Sequence, residues 1–339
     1  MDNWIDMNGP DGDVVLSSRI RLARNLSDFP FPIAMSDDDA AKVKAQVRDS
    51  ILKSNTVLSR DFDYVDLAKT TPLDRMAFVE RHLISPDLAR EYKRGAVLLS
   101  RDEKVSIMIN EEDHIRIQTI FPGLQLKEAL DLADKIDDVM EENLKYAYDE
   151  EIGYLTSCPT NIGTGLRASV MLHLPALVMS DQIKNVLANL NKIGLAVRGI
   201  YGEGTEALGN IFQISNQITL GQGESEIIEN MIGVTKSIIS NERYVALEMY
   251  KNNKMRIEDM VYRSYGILKS ARILSSEECM KHLSNVRLGK NLGIIKAEMP
   301  INGLLVYTQP ANIQKIEGKE LSPFERDVAR AAYVRERIK

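Results

Sequence analysis

Short runs of alternating or β-branched apolar residues, separated by polar turns of hairpin length, constrain this chain more than any other feature. They fall at residues 96–99, 105–110, 115–120, 153–158, 168–173, 195–198 and 211–215, with an earlier short strand starting at 14–16. Gaps of hairpin length suit antiparallel neighbours, whereas parallel neighbours need crossovers of a dozen or more residues. Helical patterns at 126–147 and 180–193 are interposed, and residues 36–52 read as a helix N-capped by Ser36 with three acids in its first turn. The pattern predicts an α+β fold around a mainly antiparallel sheet rather than a doubly wound parallel one. From about Gly223 the pattern becomes helical, at 224–252, 257–270, 275–292 and 322–338. Ser275 with Glu278, and Ser322-Pro323-Phe324-Glu325, carry the Ser-x-x-Glu spacing of a capping box, the second with Pro at the first helical position. Two domains are expected, 1–250 around the sheet and 251–339 all helical.

Composition narrows the function. A net charge of −6 over 339 residues argues against general nucleic-acid binding, which needs a basic face to displace phosphate counterions. Residues 1–6 carry acids where an export signal needs positive charge followed by an apolar stretch, and no apolar run approaches membrane-spanning length. The two cysteines, Cys158 and Cys279, need no disulfide framework and fit a reducing compartment. A cytoplasmic protein with no membrane and no direct nucleic-acid partner is expected. The four histidines are scattered, without zinc spacing. Against the acidic balance stands Ser18-Arg19-Ile20-Arg21-Leu22-Ala23-Arg24, a density of guanidinium groups that suits a compact polyanion such as a triphosphate.

Five stretches concentrate reactive residue types: Ser17-Ser18-Arg19-Ile20-Arg21, Asn110-Glu111-Glu112-Asp113-His114-Ile115-Arg116, the run from Cys158 through Gly163, Gly165 and Arg167 to Val170, Arg198-Gly199-Ile200-Tyr201-Gly202-Glu203-Gly204, and Ile214-Ser215-Asn216. Taken singly, each has an ordinary explanation. Arg-x-Arg on a strand puts two side chains on one solvated face, Glu111-Glu112-Asp113 makes an acidic turn, and Cys158 packs as a small apolar residue. The glycines around Glu203 make a tight hairpin. Together, in this order, they resemble the catalytic domain of the ATP:guanidino phosphotransferases, or phosphagen kinases, over roughly residues 14 to 240.

The resemblance implies ATP with Mg2+, and assigns roles residue by residue. Arg19, Arg21, Arg116, Arg167 and Arg198 match the nucleotide-phosphate arginines. Ser17, Ser18, Ile20, Gly199, Ile200, Tyr201 and Gly202 would line the nucleotide, with the backbone of Ala168, Ser169, Val170 and Met171 and the side chain of His82. Glu112 and Glu203 match the carboxylates that hold and deprotonate the acceptor guanidinium, beside Cys158. Glu111 would approach magnesium through water, with no direct protein ligand. The chemistry accounts for the inventory: guanidinium stays protonated to a pKa above about 12, so carboxylates must align it and take its proton. Arginines and magnesium disperse the triphosphate charge of a loose transition state.

Departures from the small-molecule kinases point to the acceptor. Those enzymes carry a helical domain ahead of the first arginine motif, whereas only a short leader precedes Ser17, so an open acceptor side is expected. Met171 and Gly204 stand where small-molecule members have histidines. The helical third, with His82-Leu83-Ile84-Ser85-Pro86 and Gly202-Glu203-Gly204, is similar to the bacterial protein-arginine kinases across the whole chain. Its Arg326-Asp327-Val328-Ala329-Arg330-Ala331 matches an R-D-x-x-R-A motif that in this family binds phosphoarginine away from the active site. Arg326 and Arg330, an i,i+4 pair, would grip the phosphate while Asp327 receives the guanidino group. The implied activity is transfer of the ATP γ-phosphoryl group to arginine residues of proteins. The resemblance also implies a homodimer or higher oligomer, an activator protein, and delivery of marked proteins to a Clp-type ATPase and protease. The alternatives are a kinase of a small free guanidino compound and a catalytically silent phosphoarginine-binding adaptor. The missing enclosing domain weighs against the first, and intact Glu112, Glu203 and five arginines against the second.

Overall fold

The computed structural model describes residues 3–199, 207–296 and 299–338, apart from the side chains of residues 57 and 58. In chain order the elements are β1 (Val15–Arg24), α1 (Asp37–Leu52), β2 (Phe62–Asp66), α2 (Pro72–Glu80), α3 (Pro86–Arg90), β3 (Ala96–Ser100), β4 (Val105–Ile109), β5 (Ile115–Pro122) and α4 (Leu126–Glu141). They continue with β6 (Tyr148–Asp149), β7 (Gly153–Tyr154), β8 (Leu166–His173), α5 (Pro175–Met179), α6 (Ile183–Lys192), β9 (Leu195–Gly199) and β10 (Ile211–Asn216). Helices α7 (Glu224–Asn252), α8 (Lys254–Ser270), α9 (Ser276–Asn291), α10 (Ile301–Tyr307), α11 (Pro310–Glu317) and α12 (Pro323–Arg337) complete the chain. Eight strands form one sheet in the order β2-β3-β4-β5-β1-β8-β10-β9, and each neighbouring pair is antiparallel. The α+β fold class expected from the hairpin spacing is the observed one. No described helix is long and apolar enough to cross a membrane.

The pleat gives the sheet two unlike faces, because successive side chains alternate. On one face Ile20 and Leu22 of β1, Ile107 and Ile109 of β4, Ile115 and Ile117 of β5, and Leu166, Ala168, Val170 and Leu172 of β8 pack against helices. The α1 helix starts where the Ser36 side chain accepts the Asp39 N–H, places three acids against the positive end of its dipole, and buries Ala40, Val43, Val47 and Ile51 at helical spacing. Leu126, Ala129, Ala133, Ile136 and Met140 of α4 fill the same layer, as do Ile227, Ile228, Met231, Ile238 and Ile239 of α7. Each fully buried aliphatic side chain contributes roughly 1.5–3 kcal/mol, so this layer supplies most of the stability that the opposite, polar face lacks.

Parity along β1 decides the fate of its three arginines. Arg19 and Arg21 fall on the polar face, whereas Arg24 shares the face of Ile20 and Leu22 and is 2% exposed. There its Nε and Nη2 donate to Asp137 Oδ2 at 2.9 and 2.7 Å, and Nη1 donates to the carbonyls of Ala23 and Thr164. Tyr146 donates to the other Asp137 oxygen, and the Tyr154 ring lies 3.5 Å beneath the guanidinium. Gly165 sits beside this group at φ 66°, where a Cβ would stand 2.6 Å from the Ala23 carbonyl, so the turn into β8 needs glycine.

The helical third forms a second core from Ile257, Val261 and Leu268 of α8, Cys279, Met280, Leu283 and Val286 of α9, Leu304 and Leu305 of α10, and Ala331 and Val334 of α12. Leu16, Met171 and Ile211 of the sheet belong to the same cluster, so the helices rest on the polar-face end of β1, β8 and β10. Burial pushes the Cys279 thiol up to about 11, leaving it a packing group. At the other contact Glu80, the last residue of α2, accepts the N–H groups of Ala311 and Asn312 and thereby caps α11.

Element ends differ from the sequence expectation where local chemistry competes with periodicity. The helix expected to run to 147 stops at Glu141, because Tyr146 turns back to bridge Leu26 beside the buried Asp137. The strand expected at 153–158 shrinks to Gly153–Tyr154, with Asp113 holding the Ser157 N–H at 2.7 Å. Replacing Asp137 with Ala leaves the Arg24 guanidinium buried without its carboxylate. The expected loss is about 3–5 kcal/mol in chemical denaturation, and a loss below about 1 kcal/mol would show that this pair does not hold β1 to α4.

Candidate active site

The polar face of the sheet assembles side chains from strands that are distant in sequence. Arg21 of β1 stands directly opposite Arg167 of β8 and Gln118 of β5. Arg19 stands opposite Ser169 of β8, and Arg116 of β5 opposite Ala23 of β1. Arg198, on the edge strand β9, pairs in register with Gln213 of β10 and is exposed. Neighbouring strands lie about 4.8 Å apart, so these registers force like charges together.

Arg19, Arg167 and Arg116 are held by neutral or acidic partners. Arg19 Nε donates to Ser169 Oγ at 3.2 Å and its Nη2 to Gln213 Oε1 at 2.7 Å, while Arg167 Nη2 donates to Ser215 Oγ at 3.2 Å. Arg116 is clamped by two carboxylates, Glu111 at 2.5 Å and Glu112 at 2.8 Å. Arg21 has a buried Nε with no acceptor, as does Arg167. Burial, then the charges of Arg19, Arg116 and Arg167, hold the Arg21 guanidinium well below its usual pKa. Burial and the charges of Arg198 and Arg116 lower Arg167 as well, opposed by Cys158 and Glu112. The cluster carries an unsatisfied demand for negative charge. Unit charges 4–8 Å apart repel by about 2–4 kcal/mol at the effective dielectric typical of proteins.

The acidic turn is fixed by residues that the sequence reading left without a role. Asp113, fully buried, accepts from Asn25 Nδ2 and from the Ser157 N–H, both at 2.7 Å. This ties the end of β1, the turn bearing Glu111 and Glu112, and the loop bearing Cys158 into one unit. His114 Nδ1 accepts the Leu26 N–H at 3.1 Å, which requires the neutral ring with its proton on Nε2, directed at the Pro30 carbonyl 3.0 Å away. Ser85, whose hydroxyl caps α3, donates to Glu111 at 2.5 Å. Glu112 is exposed, whereas Glu111 lies in the cradle. Cys158 is half-buried, with its Sγ 3.0 Å from Thr160 Oγ1. The signal for the anchors was the adjacency of Asp113 and His114 to two acids, which charge spacing alone does not separate from a solvated turn.

Several expected nucleotide residues are divided by strand parity. Ser17, Arg19 and Arg21 share a face, but Ser18 and Ile20 lie on the core side, where Ser18 Oγ donates to the Gly123 carbonyl and accepts the Gln125 N–H. Ala168 and Val170 likewise belong to the core, while Ser169 and Met171 face the arginines. His82 and Met171 line a narrow apolar cavity with Trp4, Leu16 and Val306. Burial and the charge of Arg19 lower the His82 pKa to about 3, so its ring is neutral. Gly199 ends β9, and Ile200, Tyr201, Gly202 and Glu203 lie outside the described residues.

The distal motif also splits. Arg326 and Asp327 are half-exposed on α12, whereas Arg330 is 1% exposed, with Nε on the Thr308 carbonyl at 2.7 Å and Nη1 on the Leu274 carbonyl and on Asp327. Ala331 packs in the helical core.

Comparison with known proteins gives this geometry its family. Residues 42–245 match the ATP:guanido phosphotransferase C-terminal catalytic domain, and residues 254–339 the protein-arginine kinase McsB C-terminal domain. The chain belongs to the protein-arginine kinases of the ATP:guanido phosphotransferase family. It is 59% identical to a protein-arginine kinase of Caldanaerobacter subterraneus subsp. tengcongensis, covering 96% of each chain. It is 51% identical to that of Brevibacillus brevis, over 99% of this chain and 95% of the relative. The fold superposes on lombricine kinase with a TM-score of 0.60 at 27% identity, covering 71% of this chain and 69% of the other. The kinase therefore shares residues 42–245 with the wider ATP:guanido phosphotransferase family and its C-terminal domain with the protein-arginine branch.

The neutral state that His114 needs makes the acidic turn of this kinase sensitive to acid. Burial lowers the His114 pKa below 6.5, so the unfolded chain takes up the proton first. The stabilisation is held above that pH and lost as pH falls toward the folded-state value. The stability difference between wild type and His114→Gln should shrink on acidification below pH 6.5, by up to about 1.4 kcal/mol per pH unit. Urea denaturation from pH 7.5 to 5 measures it, and a difference independent of pH would contradict the assigned tautomer.

Proposed function

We propose that this chain phosphorylates arginine side chains of proteins, using ATP as donor. The observation that carries the reading is the register that sets Arg19, Arg21, Arg116 and Arg167 on one sheet face with Glu111 and Glu112 at its β5 end. In the reaction a guanidino nitrogen attacks the γ-phosphorus, the N–P bond forms as the bond to the ADP oxygen breaks, and the guanidinium proton passes to a carboxylate. Glu112, exposed yet hydrogen-bonded to Arg116, is placed to align the acceptor fork and take that proton. Family likeness assigns Glu203 the partner role and adds Tyr201 and its neighbours to the nucleotide site. The arginines meet charge that moves toward the leaving phosphate, and because they are already assembled, little reorganisation is needed as that charge develops.

Magnesium would arrive on the nucleotide. Magnesium keeps most of its water and takes one or two carboxylates beside the phosphates. Glu111 is the residue that would hold it through water, and the ion would supply Lewis-acid neutralisation of the phosphate oxygens.

A polypeptide acceptor is supported by a cleft of 1030 Å3 beside Glu111 and Glu112, walled by Phe31, Pro32, Ile33, Tyr92 and Ser157. Ile33 is 95% exposed at its edge. The cleft exceeds what one free amino acid fills, and its apolar wall suits residues flanking an acceptor arginine. On the same likeness we assign the chemistry to residues 1–250, phosphoarginine binding and self-association to 251–339, and a cytoplasmic setting with an activator and a Clp-type protease as partners.

With Mg–ATP, casein should gain phosphoarginine, read by mass spectrometry at neutral pH, while free arginine gains little. Equal or better use of free arginine would overturn the protein acceptor. Glu112→Gln should lower single-turnover transfer by about 100-fold or more with ATP affinity within about threefold. Arg167→Lys, which keeps charge but loses the planar fork, should also impair transfer. Normal turnover in both variants would remove these residues from the site.

A further inference from the structure

The N-terminal segment, α9 and the start of α10 enclose a cavity of 410 Å3 that shares no residue with the arginine face. Its volume falls in the range of small-ligand sites. Arg287, Lys290 and Asn291 of α9 line it, with Asp6, Asp13 and Asn302 opposite. Arg287 is 3% exposed. Its Nη2 donates to the Gly12 carbonyl at 2.7 Å and its Nη1 to Asn302 Oδ1, while its Nε is buried without an acceptor.

Among the described residues no carboxylate forms an ion pair with this guanidinium. Asp13 is engaged by Arg243 through contacts of 2.8 and 2.6 Å, and Asp6 accepts the Tyr307 hydroxyl. Burying a cation with no carboxylate in direct contact costs several kcal/mol, and burial lowers the Arg287 pKa to about 10, opposed by the charge of nearby Asp13. Lys290, one turn further along α9, is exposed at the same cavity, so two cations converge on it.

We propose that this cavity is a binding site for a compact oxyanion, the phosphoryl or carboxylate group of a small molecule, held by Arg287 and Lys290. Asp6 and Asp13 bring the lining close to neutrality, which disfavours a polyanion such as a nucleoside triphosphate and favours a small ion of low charge. Ile5 and Asn302 line both this cavity and the apolar one containing Trp4, His82 and Met171. An occupant therefore braces the N-terminal segment between α9 and the nucleotide end of the sheet.

The test uses the full chain with its catalytic face saturated by the magnesium complex of adenylyl imidodiphosphate, whose γ-phosphoryl group fills the part of the arginine cradle that added anions would otherwise occupy. Inorganic phosphate and acetate are titrated separately by calorimetry against chloride at matched ionic strength. Wild type should show saturable binding of one of them, phosphate assigning a phosphoryl group and acetate a carboxylate. Lys290→Gln, at an exposed position, should leave the melting temperature unchanged and weaken binding about fivefold, the worth of one exposed charge. Arg287→Gln should abolish that isotherm, and if this variant fails to fold, Lys290→Gln alone decides. No saturable binding above the chloride control, or wild-type affinity in Lys290→Gln, would overturn the site.

Discussion

The pairing of β1 with β5 on one side and β8 on the other is the constraint on which the rest of the structure depends. It sets Arg21 opposite Arg167 and brings Arg19 and Arg116 to the same face, against their mutual repulsion. Such a face would not form alone. It persists because the reverse side of the same strands buries Ile20, Leu22, Ile117 and Val170 under α1, α4 and α7. One-residue slippage would exchange the faces and bury the arginines in that core, so the hydrophobic layer that stabilises the fold also fixes the geometry of the charged one.

Neutral spacers make the arrangement tolerable. Ser169, Gln213 and Ser215 accept from Arg19 and Arg167, while among the described residues the carboxylates paired with these arginines are Glu111 and Glu112, at one end. A cluster compensated throughout would have no use for a triphosphate. Here the acids are confined to the β5 end, where the proposed function places the acceptor guanidinium, and the remaining positive charge lies along the strands. The Asn25–Asp113–Ser157 connection holds the acids in place relative to β1, linking a buried hydrogen-bond network to the position of the proposed proton acceptor.

Much of this was legible before the structure. Hairpin spacing gave the antiparallel sheet, and the i,i+2 spacing of Arg19 and Arg21 gave their shared face. Strand order was not legible, because β1 lies between β5 and β8, so its arginines meet partners some hundred residues away or more. The motifs did not show that the side chains of Ser18, Ile20, Ala168 and Val170 point into the core, a division made by strand parity. Strand β2 escaped notice because the alternation of Phe62, Asp63 and Tyr64 breaks at Val65 and the five residues include two acids at a sheet edge. Helices α3, α5 and α10 have only five to seven residues, too few for a helical period to show. In the R-D-x-x-R-A motif, i,i+4 spacing described two equivalent arginines, yet Arg330 is committed to backbone carbonyls while Arg326 stays half-exposed, a difference set by packing against α10 and α8.

If the arginine face is assembled at a cost to the empty protein and relieved by phosphate, one substitution should move stability and binding in opposite directions. Arg21 is the residue to change, since its buried Nε has no acceptor and three neighbouring guanidinium groups press on it. The measurement is the melting temperature of nucleotide-free Arg21→Gln together with its Mg–ATP affinity by calorimetry. The expected result is a melting temperature equal to or above wild type and an affinity lower by about tenfold or more. A variant that melts well below wild type yet binds Mg–ATP normally would contradict the account, because Arg21 would then be a structural residue rather than part of a phosphate cradle.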